Sequence, residues 1–160
     1  MDDKLGKEAE NKIWEWLDQP DKGYSFNRLY DQMSGWYMVS RNICDFIVYK
    51  YPNIYYIESK ATEKDRFDFS MISDTQYDGL LKNSKIQGCY GLVIVLFASY
   101  KRAFILDIRD IDDMKANRKA SLNIQKIDKW PIPYTEIQTI PNNRKKLLDY
   151  TGELVVPRKE

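Results

Sequence analysis

The chain contains no histidine. Ser-His and Cys-His triads, histidine-ligated zinc and a histidine general base are therefore excluded. Catalysis of any kind falls to carboxylates, lysine, tyrosine or a metal held by oxygen. Cysteine is scarce: Cys44 and Cys89 stand in apolar segments and form no C-x-x-C unit. They read as small buried hydrophobes in a reducing compartment. No apolar run approaches the length of a membrane span, and the opening MDDKLGKEAENK is too polar for a secretory signal, so a cytoplasmic location and no membrane partner are expected. A strong excess of charge is missing too, with 25 Lys/Arg against 24 Asp/Glu. Its distribution is uneven: residues 101–160 carry 13 basic against 9 acidic residues (+4), and residues 1–100 carry 12 against 15 (−3). The clusters at 101–102, 118–119 and 144–146 are either phosphate contacts or solvated surface.

What is present suits one domain. A chain of 160 residues with 43% hydrophobic residues can build a core and is short for two, so residues 1–160 are expected to form a single unit. Leu5, Ala9, Ile13, Trp16 and Leu17 share one helical stripe over residues 4–18, and PDKG (20–23) ends that helix. Strands are expected at 24–32, 43–50, 54–61, 90–100 and 102–108, and a helix at 73–88 opens on a capping Ser or Asp. MSGWYMVSRN reads as a loop or irregular hairpin, and RDIDDMKANRKA as a short charged helix. Helix, strands, helix, strands in that order imply an α/β fold, a central mixed β-sheet flanked by helices.

The stretch NIYYIESKAT (53–62) carries the chemistry. Its apolar, aromatic run ends on Glu58 and Lys60, two residues apart and thus on one face of a strand. A two-residue turn at Tyr51-Pro52 or Pro52-Asn53 makes opposed residues sum to 103 or 105, so Asp45 faces Glu58 in one register and Lys60 in the other. Either way the three share a face, because a slip of two residues preserves the side. Two carboxylates at that spacing suit Mg²⁺, which prefers oxygen and keeps several waters. A metal there lowers the pKa of a bound water and neutralises phosphate charge, and the ammonium beside it can orient that water or accept its proton. The plainer alternative is a cross-strand salt bridge on a solvated face.

Further segments extend the pattern. GKEAENKI (6–13), CDFIVYKYPNIYYIESKAT (44–62), DTQYDGL (74–80) and KWPIPYTEI (129–137) followed by LLDY (147–150) stand in an order that resembles the PD-(D/E)xK nuclease superfamily, with its restriction-endonuclease-like core. Within it the chain looks like the RecU-type Holliday junction resolvases, and FNRLYDQMSGWYMVSRNICD looks like their phage branch. Cys44 stands where the superfamily has proline, and the Pro-rich stalk segment of cellular members has no counterpart.

The resemblance implies a metal-dependent DNA endonuclease acting on four-way junctions in recombination and repair, leaving 5′-phosphate and 3′-hydroxyl ends. Asp45, Glu58 and Glu10 would hold Mg²⁺ (or Mn²⁺), Lys60 would act on the attacking water, and Gln76 would hold that water or a phosphate. Arg28 is read as reaching a phosphate or pairing with an acid such as Asp31; Lys64 and Arg66 would meet the backbone of bound DNA. Two symmetric nicks imply a C2 homodimer, in a bacterial cell or phage-infected host. The rival readings are a nuclease of the same fold acting on linear or flap DNA, and a non-catalytic DNA- or partner-binding protein. Tyr55, Tyr56, Trp36 and Tyr37 are either packing residues or stacking surfaces for unpaired bases.

Overall fold

The computed structural model describes residues 3–30, 32–34, 37–40, 42–142 and 148–157. Helix α1 (Asp3–Leu17) follows the apolar stripe, and a 3-10 turn at Pro20–Lys22 closes on Gly23, whose φ of 71° is the left-handed conformation that glycine adopts freely. Then come β1 (Ser25–Arg28), the short pair β2 (Gln32–Ser34) and β3 (Tyr37–Ser40), and the hairpin of β4 (Phe46–Lys50) and β5 (Asn53–Thr62). After β6 (Arg66–Asp68), helix α2 (Asp74–Ser84) crosses to β7 (Cys89–Phe97), which turns back into β8 (Arg102–Asp107). Helix α3 (Ile108–Ala116) and β9 (Ser121–Asn123) precede β10 (Thr135–Glu136), β11 (Gln138–Ile140) and β12 (Asp149–Thr151).

Six strands form the central sheet in the order β1-β4-β5-β7-β8-β10. Only β5 and β7 run parallel, which makes the sheet mixed, and α2 is the crossover that a parallel pair requires. Leu5, Ala9, Ile13, Trp16 and Leu17 of α1 bury one sheet face with Phe46, Val48, Ile57 and Ala61. The other face packs Val93, Val95, Phe104 and Leu106 against Leu80 of α2 and Ile108, Ile111 and Met114 of α3. The expected α/β architecture is what the chain adopts. Two central strands buried on both faces explain why YGLVIVLF reads as a continuous apolar run rather than an alternation.

The hairpin takes the register that sums to 103, with Phe46 opposite Ile57 and Lys50 opposite Asn53 around Tyr51-Pro52, a cis bond. Among the described residues of the segment at 24–32, Ser25–Arg28 form β1 and Gln32 opens β2, and the 32–40 segment is a hairpin over its described residues. The tail, for which the sequence offers no assignment, closes the α1 face. The Gly152 carbonyl accepts the Trp16 indole N–H at 3.0 Å and Lys22 Nζ at 2.8 Å, and the Tyr150 ring meets Trp16 edge-on.

Candidate active site

Strand β4 begins at Phe46, one residue after Asp45, and pairs with β5 only as far as Ile57, while β5 runs on through Thr62 beside β7. At that step the Asp45 N–H still donates to the Ile57 carbonyl at 2.9 Å. The next β5 donor, the Ser59 N–H, finds the Asp45 carboxylate instead of a neighbouring strand, Oδ2 at 2.8 Å. The side chain thus completes a ladder its own backbone has left, and this fixes it beside Glu58. Glu58 is 2% exposed. Its Oε1 accepts Gln76 Nε2 at 3.0 Å and lies 3.4 Å from Lys60 Nζ. Oε2 is buried with no hydrogen-bond donor. The Asp45 carboxyl lies near enough for its charge to act on Glu58.

Gln76 owes its orientation to the start of α2. Ser73 caps the helix, its Oγ accepting the Gln76 N–H at 3.3 Å while Gln76 Oε1 accepts the Ser73 N–H at 3.0 Å. This reciprocal capping box occupies the amide oxygen, so the amide nitrogen is the end left for Glu58. One turn on, Gly79 lets α2 lie against the segment that leads into Asp45: a Cβ there would stand 2.3 Å from Ile43 Cγ2.

Burial raises the pKa of both carboxyls. Glu58 is held well above the carboxylate range by desolvation first and by the Asp45 charge second. Asp45 is pushed up to about 6 by desolvation and then by Glu10, against the Ser59 N–H, Glu58 and Lys60, which favour its charged form. Cys44 lines the same cleft, its thiol pushed up to about 12 chiefly by burial, so it is an inert wall rather than a thiolate.

A cleft of about 160 Å³ opens here, bounded by the carboxyls of Glu10, Asp45 and Glu58 and the amides of Asn42 and Gln76, with Leu29 and Tyr30 in its wall. An all-oxygen donor set, a buried donor-free oxygen and two carboxyls whose charge burial disfavours fit a hard divalent cation. Among the described residues, however, no three Asp, Glu or Cys side chains are gathered closely enough to hold a metal together. Glu10 is the one turned elsewhere. Its Oε2 accepts Arg28 Nη2 at 2.6 Å, and Arg28 Nη1 also donates to Asn11 at 2.9 Å.

The structure therefore brings together Asp45, Glu58, Lys60 and Gln76, and sets Glu10 at their edge. Arg28 faces an acid here rather than solvent, and that acid is Glu10; Asp31 lies outside the described residues. Lys64 and Arg66 lie past the end of β5, exposed, with the Arg66 guanidinium 2.8 Å from Asp68. Tyr55 stacks on Tyr90 in the packed interior and Tyr56 is half-buried against the α2–α3 face. Trp36, the side chain of Tyr37 and the cluster at 144–146 lie outside the described residues. Of the 101–102 cluster, Arg102 is spent on a two-pronged bond to Glu136. Sequence reasoning missed Asn42, Tyr30 and the Arg28–Glu10 pair. The strand register places Arg28 beside Phe46, one residue from Asp45, and that was the available signal.

No curated protein sequence matches the chain. Among solved structures it is similar to that of Hjc from Archaeoglobus fulgidus, a Holliday junction resolvase from an archaeal hyperthermophile. That likeness is distant: 14% identity, 66% of this chain, 76% of that one and a TM-score of 0.43. The model of the family RecU, recombination protein U, matches residues 25–154, so the helix that carries Glu10 precedes the matched range. With most of its length covered by that match, Asp45 to Gln76 included, the chain belongs to the RecU family of Holliday junction resolvases.

Proposed function

We propose that the protein is a Mg²⁺-dependent endonuclease of residues 1–160 that resolves four-way DNA junctions as a C2 homodimer, with Mn²⁺ as a substitute ion. The observation that carries this reading is the buried Asp45–Glu58 pair, with a donor-free oxygen and raised pKa values, flanked by an amine and a carboxamide. Family membership supports the junction substrate and a divalent cation. When bound, the cation lowers the pKa of a water and neutralises charge on a phosphate oxygen.

The remaining work falls to the chain itself. Asp45 and Glu58 supply the anionic oxygens, and the Ser59 amide and Gln76 hold them in place. Lys60, half-buried beside Glu58, is placed to hold the attacking water or take its proton. Water oxygen bonds to phosphorus, the bond to the 3′ oxygen breaks, and the leaving oxygen gains a proton as a 3′-hydroxyl. A bacterial or phage-infected cytoplasm suits this work; no described helix is long and apolar enough to cross a membrane.

The test compares a labelled four-way junction with a linear duplex of the same arms, in Mg²⁺ or EDTA, beside Lys60→Ala. Paired symmetric nicks confined to the junction, lost in EDTA and in the variant, are the expected result. Equal cutting of both substrates would leave a nuclease and remove the junction; tight binding without cutting would remove the catalysis.

A further inference from the structure

We propose that Arg28 couples substrate binding to assembly of the metal site. In the DNA-free protein its guanidinium holds Glu10 apart from Asp45 and Glu58; a DNA phosphate that takes Arg28 releases Glu10 to join the cation's ligands. The inference rests on Asp45 and Glu58 being the cation seat.

Three observations carry it. First, Glu10 belongs to the cleft and its charge acts on Asp45, yet its carboxylate is engaged by Arg28 at 2.6 Å and no third ligand stands with the pair among the described residues. Second, Arg28 is underused: Nε is buried with no hydrogen-bond partner, while the fork could serve a two-oxygen anion more fully. A phosphodiester carries the same charge as a carboxylate and the same pair of oxygens, so it competes for the same fork. Third, the ring against the guanidinium, Tyr30 at 5.2 Å, is 69% exposed and lines the cleft. DNA entering the cleft meets Tyr30 and Arg28 together. The device keeps the ligand set incomplete until substrate is present, which limits hydrolysis of DNA that does not fill the cleft.

The geometry makes a prediction of unusual sign, that removing Arg28 tightens metal binding. Mn²⁺ affinity is measured by electron paramagnetic resonance in a Lys60→Met background that does not turn over, with and without a four-way junction. Without DNA, Arg28→Met is expected to bind Mn²⁺ about tenfold more tightly, the scale of one charge-assisted hydrogen bond. Adding Glu10→Gln should cancel that gain. The junction should tighten Mn²⁺ binding in the parent and add nothing in Arg28→Met, since coupling between two ligands is reciprocal. The slope of junction affinity against log salt should also fall by about 0.9, one phosphate contact.

An Arg28 that serves packing alone would leave Mn²⁺ affinity unchanged or lower it, and either result overturns the proposal. So would a gain that persists with Glu10→Gln. If Arg28→Met does not fold, Arg28→Lys must show a smaller gain of the same sign, because it keeps the charge and loses the fork. A parent whose Mn²⁺ binding is lost in Asp45→Asn, but indifferent to Arg28, sinks this inference alone. A parent that binds no Mn²⁺ sinks the cation seat with it.

Discussion

Two carboxylates of the central sheet, Asp107 and Glu58, are buried, and they are buried differently. Asp107, at the end of β8, is fully enclosed and satisfied: Oδ1 accepts the Arg109 N–H at 2.9 Å and its Nε at 3.1 Å, and Oδ2 accepts Nη2 at 2.9 Å. It caps α3 and belongs to the scaffold. Glu58, midway along β5 where β4 has stopped, has one oxygen without a donor and another carboxyl beside it. A fold that can satisfy a buried carboxylate so fully at Asp107 leaves Glu58 short for a reason outside stability. That contrast is what separates a structural ion pair from a cation seat.

Substitution at the two positions should therefore give opposite results. Glu58→Gln is expected to cut junction cleavage by about 10³-fold or more while the melting temperature of the DNA-free protein holds or rises. Asp107→Asn should leave cation affinity unchanged and cost about 2–4 kcal/mol, because it strands the largely buried Arg109 charge. Thermal melts beside single-turnover cleavage of both variants decide this; a Glu58→Gln protein that unfolds as readily as Asp107→Asn would erase the distinction.

The pH dependence follows from the same pair. Burial raises both site carboxyls above the pKa near 4 that they have in the unfolded chain. For Asp45 the contribution to stability is full below that pH and is lost as pH rises through about 6, and the raised pKa of Glu58 acts in the same direction. The DNA-free protein should lose on the order of 1 kcal/mol between pH 5 and pH 8 from Asp45 alone, and a saturating divalent cation should restore more at pH 8 than at pH 5. Urea denaturation at the two pH values, with and without Mg²⁺, reads this directly. A cation effect equal at both would detach the cation from these carboxyls.

Gln76 separates support from chemistry on a finer scale. Gln76→Glu keeps an N3 acceptor for the Ser73 N–H, so α2 should hold, but it removes the donor to Glu58 and lowers cleavage. Gln76→Ala removes both roles and should cost about 1 kcal/mol in addition. Circular dichroism melts and cleavage rates of the two variants check the split; equal cleavage by Gln76→Glu and the parent would confine Gln76 to the helix cap.

The smallest effects are expected at Lys64 and Arg66, exposed beyond the end of β5. Lys64→Ala should change stability by less than about 0.5 kcal/mol and reduce the salt slope of junction binding by about 0.9 if it meets a phosphate. An unchanged slope measured by fluorescence anisotropy would leave it a surface lysine.

The hairpin and its triad were legible in the sequence because their geometry is local. A two-residue turn admits two registers, both keep Asp45, Glu58 and Lys60 on one face, and the structure takes the one with Tyr51-Pro52 at the turn. Gln76 was reached only through the resemblance of DTQYDGL; the capping box with Ser73 that orients it is seen in the structure. The Arg28–Glu10 pair was not legible, because it joins two polar residues eighteen apart on elements whose relative placement only the packed core sets. The tail failed for a related reason. Strands of two or three residues show no periodicity, and β10 finds its partner β8 some thirty residues earlier.

The most direct measurement is the number of protons displaced when a divalent cation binds. Mn²⁺ titrated into the DNA-free protein at pH 6.5, by calorimetry in two buffers of different ionisation enthalpy, should release protons on binding, because burial holds the Asp45 and Glu58 carboxyls above the ordinary carboxylate range. Glu58→Gln should abolish both that release and most of the affinity. Cation binding that displaces no proton and is indifferent to Asp45→Asn and Glu58→Gln would contradict the account.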